Sequence, residues 1–475
     1  MEELTGLDAR FLYSETPTAH MHTIKVLVVD VDGRAEPLTP ETLANALAER
    51  LDRMPGFRRR VVSPRHPISH PVWIETPLQP ADHIRWCRLD APGDRVKLAA
   101  EVADIAGTPL RRDRPLWEIV VVQGLAEGKL AFVVKLHHAL ADGVAAAAML
   151  LNVFEGDAQH AVIESAHPET VPSPGLLNRF AWRNRIRRVG RLPGLAARNI
   201  IGLVSVGRFR HGGGTHPPTL FSGRRSSINV SLSDRRTFAV TDLPMGAVRE
   251  ICGRQKVTVN DVFLAVCGGA LRRHLGSDAA AGRGLVAGVP IGTPGDRARL
   301  TGNHLDHMLV GLRTDLEDPI ARLDAIAAGS TAARAERAAL GPGLFEDRAG
   351  HTPPVLYPLA IRLWAATRLA NRLRPPLNLI VSNVAGPRYP LRLEGGVVSE
   401  LWSVGPILEG IGLNLTAWSY DGVLHVSALG CPESLPDPWR LMTHIDAALA
   451  ELVEASRRAG QAPHSAEDLI GAVDA

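Results

Sequence analysis

The sequence has few cysteines, no long apolar run and almost no net charge. Its four cysteines, Cys87, Cys252, Cys267 and Cys431, are never spaced as C-x-x-C, which argues against a disulfide scaffold, a zinc ribbon and a thioredoxin-like site. No run of about 18 apolar residues occurs, so no transmembrane helix is expected. The balance of 53 Lys and Arg against 50 Asp and Glu argues against a general nucleic-acid-binding protein. Residues 1–4 lack the apolar segment of a secretory signal, so a cytoplasmic protein is expected.

The composition is typical of a folded protein, and the length suggests about three domains or two large ones. The chain has 475 residues, of which 45% are hydrophobic and 22% charged, and domains average about 150 residues. A helix is expected from Thr39-Pro40 to Pro55-Gly56, and hairpin turns at Glu127-Gly128 and Asp421-Gly422. Further predicted helices are 144–154 and 262–275. The predicted strands are 24–29, 119–122, 130–134, 305–312 and 377–381.

Residues 170–233, the acid-free segment, contain neither Asp nor Glu but many arginines, with Phe180, Trp182 and Ile200 among the apolar residues between them. One interpretation is a solvated, partly disordered linker. The other, which we favour, is an interfacial surface whose arginines meet anionic lipid headgroups while its apolar side chains enter the acyl boundary. The segment separates the two halves of the chain. The expected division is a domain at 1–170, a connection at 171–236, a domain at 237–455 and a mobile tail at 456–475.

Two adjacent histidines end the first predicted hairpin. Residues 137–143 read His-His-Ala-Leu-Ala-Asp-Gly, and a predicted helix follows them. Because neighbouring residues on a strand point to opposite faces, His138 shares a face with Leu136, whereas His137 shares one with Lys135. Only one of the two histidines can therefore face a given cavity.

These residue types suit acid–base chemistry. Imidazole titrates near neutral pH, so it can take a proton from a hydroxyl and later return it. At the mouth of the following helix, Asp142 can fix the turn by accepting hydrogen bonds from backbone amides or by pairing with an arginine. Gly143 lets the backbone pass closely or take a positive φ. The motif therefore predicts a catalytic loop.

Other kinds of site fit this loop less well. A single strand histidine is most often a packed core residue, but two histidines with Asp and Gly at this spacing favour a function. Zinc ligation by His137, His138 and Asp142 is a weaker interpretation, because adjacent strand histidines diverge and no further ligand is evident nearby. The sequence has no G-x-S-x-G motif for a nucleophilic serine and no P-loop spacing.

The motif at 137–143 resembles the HHxxxDG signature of the acyl-CoA-dependent acyltransferases of the chloramphenicol-acetyltransferase-like superfamily, and alone it would equally suit a nonribosomal-peptide condensation domain. Other motifs resemble those of the bacterial wax ester synthase/diacylglycerol acyltransferase family. They are Leu4 to Phe11 with Pro17, Met21 and His22; Pro115-Leu116-Trp117; Asn260-Asp261; Gly302-Asn303; and the run Asn-Val-Ala-Gly-Pro at 383–387. The resemblance covers residues 4 to about 440. The excess of Arg over Lys is similar to that of actinobacterial triacylglycerol synthases, whereas residues 289–294 differ from the family's Val-Pro-Val-Ser-x-Arg type of stretch.

The resemblance implies an α/β (α+β) fold of two chloramphenicol-acetyltransferase-like domains, each a mixed sheet covered by helices, with the active site in a channel between them. It also implies direct transfer without an acyl-enzyme. His138 aligns with the family's general base, which would deprotonate the acceptor hydroxyl for attack on the thioester of a long-chain acyl-CoA. Asp142 would hold the loop, and His137 would support its geometry or the substrate. Acyl-CoA would be a co-substrate, with no cofactor or metal.

An oxyanion donor is also needed for this chemistry. Asn260 is our candidate, since it matches the family's Asn-Asp motif and carries an amide donor. An asparagine at this place is equally suited to cap the predicted helix 262–275.

We therefore expect an acyl-CoA:diacylglycerol O-acyltransferase that makes triacylglycerol, with wax esters from long-chain alcohols as a further product. It would act peripherally at the inner face of a membrane or on lipid droplets. One alternative is a carrier-protein-dependent condensation-type acyltransferase, although the sequence contains no carrier domain. The other is a catalytically silent lipid-binding paralogue, against which the intact His138, Asp142 and Gly143 argue.

Overall fold

Strands form where β-branched and apolar residues run together, and every predicted strand overlaps a strand of the computed structural model. The predicted strand at 24–29 extends over His22–Asp30, and the hairpin strands extend over Trp117–Leu125 and Leu130–His137. The second hairpin turn has φ of 40° at Asp421 and 82° at Gly422, as an Asp-Gly hairpin requires. The structure describes residues 1–31, 39–52, 54–154, 169–280, 282, 284–292, 299–341, 343–393 and 395–459.

The N-terminal sheet has six strands and is mostly antiparallel. The strands in spatial order are β12 (Arg392–Leu393), β13 (Gly396–Val404), β2 (His22–Asp30), β7 (Leu130–His137), β6 (Trp117–Leu125) and β5 (Ile84–Gly93). Strands β6 and β5 pair in parallel, and the other neighbouring pairs are antiparallel. A separate small sheet has the order β1 (Glu2–Glu3), β4 (Val72–Glu75) and β3 (Arg59–Val62).

The C-terminal sheet also has six strands and is mixed. Its third strand runs parallel to both of its neighbours, and the other pairs are antiparallel. The strands in spatial order are β10 (Leu305–Gly311), β9 (Val286–Gly292), β11 (Leu379–Ala385), β14 (Asn414–Tyr420), β15 (Val423–Gly430) and β8 (Thr237–Pro244). Two mixed sheets covered by helices are the expected fold, which is confirmed.

Helices pack on these sheets and on one another. They are α1 (Gly6–Tyr13), α2 (Pro40–Asp52), α3 (Pro55–Arg58), α4 (Arg95–Gly107), α5 (Gly143–Phe154), α6 (Pro174–Gly190), α7 (Leu192–His211), α8 (Met245–Gln255), α9 (Val259–Leu275), α10 (Ser277–Ala280), α11 (Pro319–Leu340), α12 (Leu344–Gly350), α13 (Leu356–Ala366) and α14 (Pro438–Ala459). Buried side chains of α2 and α5 pack on one face of the N-terminal sheet, and those of α4 pack on the other. The C-terminal sheet shares its core with α8, α9, α11 and α14.

The two halves are not separate along the chain. Strands β12 and β13 come from the C-terminal half, yet they belong to the N-terminal sheet, where β13 pairs with β2 from Val397 opposite Asp30 to Val404 opposite Ile24. The expected division into a domain at 1–170 and one at 237–455 therefore needs this correction. The sequence carries no local signal for it, because any apolar strand fits either sheet.

The acid-free segment is helical over much of its length. Ser173 caps α6 by accepting a hydrogen bond from the Leu176 amide, α6 buries Leu177 and Ala181, and α7 packs against α11 and α12. The interpretation as a partly disordered linker is therefore wrong for residues 174–211.

The predicted tail begins too early. Helix α14 continues to Ala459 and buries Leu452 and Ser456, so a mobile tail from 456 is wrong for residues 456–459. The rest of that prediction lies outside the described residues.

Candidate active site

Strand β7 ends at the two histidines and sends them to opposite sides of the sheet. Leu136 lies in the core shared with α2 and α5, whereas Val133 lies in the core shared with α4. His138 follows on the Leu136 side and lines a cavity, while His137 is fully buried on the other side. The predicted alternation is confirmed.

The position of the proton on His138 follows from its partner Asn303. The Asn303 Nδ2 group donates to the Asp8 carboxylate at 2.7 Å and to the His138 carbonyl at 2.8 Å. Its Oδ1 must then be the atom that lies 3.0 Å from His138 Nδ1, and a carbonyl oxygen only accepts. His138 Nδ1 therefore carries the proton, which leaves a lone pair on Nε2.

Helix α1 fixes the His138 ring from one side. Thr5 caps this helix by accepting from the Asp8 amide, and the Phe11 ring stacks on the imidazole with centroids 4.0 Å apart and planes at 12°. Asp8 and Phe11 lie three residues apart and so share one face of the helix. Burial raises the pKa of Asp8 to about 6, against hydrogen bonds from Asn303 and Thr5. The N-terminal motif thus holds both His138 and its amide partner.

His137 is held for a different purpose. Its Nδ1 accepts a hydrogen bond from the Ala139 amide at 3.0 Å, so Nε2 carries the proton and donates to the Glu15 carboxylate at 2.9 Å. Burial, together with the charge on Arg112, holds its pKa well below the usual histidine range. Both ring nitrogens are occupied, so His137 positions the loop and does not reach the cavity.

Asp142 ties the loop to the C-terminal half. It is fully buried, accepts hydrogen bonds from the amides of Val144 and Ala145 at 3.0 Å each and from the His304 amide at 2.9 Å, and pairs with Arg299. Backbone bonds from the Gly302 amide to the Leu140 carbonyl and from the Asp142 amide to the Gly302 carbonyl join the same two segments. The Asp142 carboxylate thus joins the loop to the C-terminal half, and Arg299 is its ion-pair partner.

Gly143 meets neither of the two expected requirements for a glycine. An added Cβ would lie 3.4 Å from the Val384 side chain, which is ordinary van der Waals contact, so no close approach excludes a side chain here. Nor does the backbone have a positive φ, because Gly143 is not among the residues with that conformation.

Asn260 does not line the cavity that His138 faces. It is the second residue of α9, and the cap of that helix is Thr258, whose hydroxyl accepts from the Asp261 amide while the Asp261 carboxylate accepts from the Thr258 amide. Helix α9 packs on α14 and α11. The described residues that line the cavity do not include Asn260, so the structure brings it neither to His138 nor to the capping position.

A cavity of about 790 Å³ opens between the two halves beside His138. Its walls come from β2, α5 and the loop after β7 on one side, and from β9, β10, β11 and β14 on the other. This volume lies within the roughly 300–1,000 Å³ usual for small-molecule sites. A cavity of suitable size is therefore present between the two halves beside His138.

The electrostatics of the cavity favour a neutral His138. Burial lowers its pKa, the charge on Asp142 opposes this, and the charge on Lys25 lowers it further. His307, on the cavity wall, has its pKa lowered to about 4 by burial and by the charges of His138 and Arg10. A neutral imidazole with its lone pair on Nε2 can act as a general base.

Sequence reasoning missed the roles of Asp8, Phe11, Arg299, Asn303 and Lys25. Residues 4–11 and Gly302-Asn303 did carry a signal, since they match family motifs, but a motif does not say which atom it touches. Arg299 is one arginine among many, and no spacing sets it apart. Lys25 interrupts an apolar strand, and this was the available signal.

Two mixed sheets enclose a cavity at the HHxxxDG loop, and comparison with known proteins shows that the chain is an acyltransferase. The sequence model of the wax ester synthase/diacylglycerol acyltransferase catalytic domain matches residues 4–263, and that of the C-terminal domain of the same proteins matches residues 301–453. The chain belongs to the wax ester synthase/diacylglycerol acyltransferase family.

Named relatives agree with this family. Two proteins of Mycobacterium tuberculosis, both provisionally named diacylglycerol O-acyltransferase, are 34% identical over 467 residues (97% of each chain) and 32% identical over 472 residues (96% of this chain and 98% of the relative). The wax ester synthase/diacylglycerol acyltransferase of Marinobacter aquaeolei has a TM-score of 0.66 at 24% identity, covering 96% of this chain and all of that one. A condensation domain of the CDA synthetase has a TM-score of 0.59 at 17% identity, with 96% of each chain covered. These two structures show the shared fold.

Proposed function

We propose that the chain is an acyl-CoA:diacylglycerol O-acyltransferase that makes triacylglycerol, with long-chain alcohols as further acceptors that would give wax esters. The observation that supports this most is the free lone pair on His138 Nε2 at the wall of the cavity between the halves. The cavity combines this base with apolar side chains from α5, including Ala147, Ala148 and Leu151. Such a lining suits the chains of lipid substrates.

In the proposed reaction, His138 Nε2 takes the proton of the acceptor hydroxyl as its oxygen attacks the thioester carbonyl. A carbon–oxygen bond forms, the carbon–sulfur bond breaks, and the proton passes to the sulfur of the leaving CoA thiol. Asn303 holds the imidazole in the required tautomer, and its carbonyl stabilises the imidazolium that forms in passing. Asp142 acts through the loop geometry as a positioning residue.

The acid-free segment gives the protein a surface for lipid contact. Helix α6 exposes Trp182 and Ile186 at 56% and 68%, and α7 exposes Ile200 and Ile201 at 62% and 66%. Leu356, Leu359 and Leu363 are also exposed along one side of α13. Within the described residues, none of the helices is both long and apolar enough to cross a bilayer. Peripheral binding to an anionic lipid surface is the mode that these features favour.

The decisive experiment is an assay of the purified protein with a long-chain acyl-CoA, offered diacylglycerol and hexadecanol separately. Wild type and His138→Ala are compared, with His444→Ala on α14 as a control remote from the cavity. Product from wild type and control, but not from His138→Ala, is the expected result. Turnover retained by His138→Ala would remove His138 as the base. If no variant formed product while a known acyltransferase worked in the same assay, a carrier-dependent or silent protein would replace this proposal.

The lipid surface has its own test. Changing Arg179, Arg183, Arg185 and Arg187 to Gln should weaken binding to anionic vesicles about 100-fold or more, since each arginine near such a surface contributes about 1 kcal/mol. Arg188 is left in place because it pairs with Glu3. The control carries the same charge change at Arg249, Arg254, Arg440 and Arg458, which are exposed on α8 and α14. Equal weakening in both variants would contradict a specific surface on α6.

A further inference from the structure

The cavity contains a buried lysine that the proposed reaction does not use. Lys25 is 2% exposed and lies on β2 between β7 and β13, opposite Val134 and Ser403. Together with Thr23 and Ser403 it lines the cavity. The alternation of β2 places Thr23 and Lys25 on the same face of the sheet as His138.

The hydrogen bonds of Lys25 leave a donor for a ligand. Thr23 donates its hydroxyl proton to the Val404 carbonyl at 3.2 Å, so its oxygen can only accept from Lys25 Nζ, which lies 2.9 Å away. Nζ also donates to the Ser403 hydroxyl at 2.5 Å. An ammonium group has three donors, and two of them are occupied in this way. None of the ion pairs found among the described residues includes Lys25.

A second buried lysine shows what a purely structural arrangement looks like. Lys135 lies on the opposite face of the same sheet, pairs with Glu118 at 2.8 Å and donates to the carbonyls of Ile105 and Thr108. All three of its donors thus have acceptors. Burial lowers the pKa of both lysines, and that of Lys25 to about 7. Lys25 has two hydroxyls and the Trp418 ring, whose centroid lies 5.0 Å from Nζ, where Lys135 has a carboxylate and two carbonyls. Its third donor can still take a ligand oxygen in the cavity.

The cavity walls differ in polarity. Thr23, Lys25 and Ser403 are continued along the wall by Asn414 and Thr416 of β14, and we call these five residues the polar strip. Helix α5 supplies apolar wall instead. Thr23, Asn414 and Thr416 already donate to acceptors within the protein. A plain alkanol in this cavity therefore covers the apolar wall but leaves the third donor of Lys25 without an acceptor, which costs binding energy.

We propose that Lys25, held by Thr23 and Ser403, is the subsite that binds a carbonyl oxygen next to the reacting hydroxyl of the acceptor, and so selects glycerides over plain alkanols. This inference rests on the proposed function, because the acceptor must lie in the cavity beside His138. Lys25 and His138 share one electrostatic environment, since the charge of Lys25 acts on His138. The ester carbonyls of diacylglycerol are the acceptors that a long-chain alcohol lacks.

The test compares three acceptors that differ in their oxygen atoms: a 1,2-diacylglycerol, its 1,2-dialkyl ether analogue without carbonyls, and hexadecanol. Wild type should have a higher kcat/KM for the diester than for the diether. Lys25→Met should lower this diester-to-diether ratio about tenfold, as expected for one hydrogen bond from a charged donor. Ser403→Ala, which removes one support of Lys25, should lower the ratio by a smaller factor and serves if Lys25→Met does not fold.

Lys135→Met is the matched control, since it removes a buried lysine from the other face of the same strand pair. It should lower thermal stability and keep the diester-to-diether ratio of wild type. A ratio that stays at the wild-type value in Lys25→Met, or an equal fall in kcat/KM for all three acceptors, would overturn the subsite. A wild-type protein that acylates none of the acceptors would instead overturn the proposed function and this inference with it.

Discussion

The two faces of the N-terminal sheet carry the same kinds of buried polar residue but use them differently. On the α4 face, both ring nitrogens of His137 and all three ammonium donors of Lys135 have hydrogen-bond partners within the protein. On the cavity face, neutral partners hold both residues: the Asn303 amide holds His138, and two hydroxyls and the Trp418 ring hold Lys25. Among the described residues, each keeps one hydrogen-bonding direction without a partner. Burial alone therefore does not mark a functional residue. What marks a functional residue is a buried polar group that is held firmly and still presents a hydrogen-bonding atom to a cavity.

His22 is an exception on the α4 face. It lies beside His137, and neither of its ring nitrogens has a hydrogen-bond partner among the described residues. Burial holds its pKa well below the usual range, so it stays neutral. Among the described residues, those of this sheet that line the cavity lie on the opposite face from His22, so its ring does not reach the cavity.

The largest expected difference between the two faces appears when each histidine is truncated in turn. His138→Ala should lower kcat by about 1,000-fold, since a positioned general base contributes roughly 100-fold to 10,000-fold. His137→Ala should cost much less, because that ring reaches neither substrate. Steady-state kinetics with both proteins checks this. Equal losses would mean that the two faces do not differ in function.

The next effect concerns the amide that fixes the His138 tautomer. Asn303→Leu removes the acceptor for Nδ1 and should lower kcat roughly 10-fold to 100-fold, with a smaller change in KM. A rise in KM without a change in kcat would show that Asn303 binds substrate instead. A second readout is the acidic limb of the pH profile. Asn303→Leu should shift this limb, because the Asn303 hydrogen bond acts on the pKa of His138, whereas a purely structural role would leave the limb in place.

On the α4 face the expected loss is in stability. His137→Leu leaves the Ala139 amide without its acceptor and removes one donor from Glu15, so the free energy of unfolding should fall by about 1–3 kcal/mol. Urea denaturation measures this. A variant as stable as wild type would contradict the role of His137 in holding the loop.

The smallest effect is a shift in the pH profile. His138 is active when neutral, and its pKa is lowered, so kcat/KM should persist below pH 6.5 and fall as the pH drops through that lowered pKa. Removing the positive charge with Lys25→Met raises the His138 pKa and should move the acidic limb to higher pH, by about 0.5. Lys135→Met should leave the limb in place, because its charge is not among those acting on His138.

The sequence could predict local structure and the catalytic loop but not the partners of that loop. Residues 137–143 follow a hairpin whose alternation decides which histidine faces the cavity, and this required no distant information. The partner of His138 is 165 residues away and that of Asp142 is 157 residues away. Such contacts depend on how the two sheets meet, and strand or helix patterns do not encode it. Asn260 shows the same limit, since its family motif is matched while its side chain lies on a helix outside the described cavity wall.

Strand β13 has a consequence for how the chain is made. Without it, β2 would be the edge of the N-terminal sheet, with its backbone amides and carbonyls free to pair with another chain. We expect the first half emerging from the ribosome to stay incomplete until residues 396–404 have been synthesised, and a fragment that stops before them to aggregate. The same strand supplies Ser403 to the cavity wall, so an enzyme assembled from two separately expressed halves should gain solubility and its acceptor site in one event.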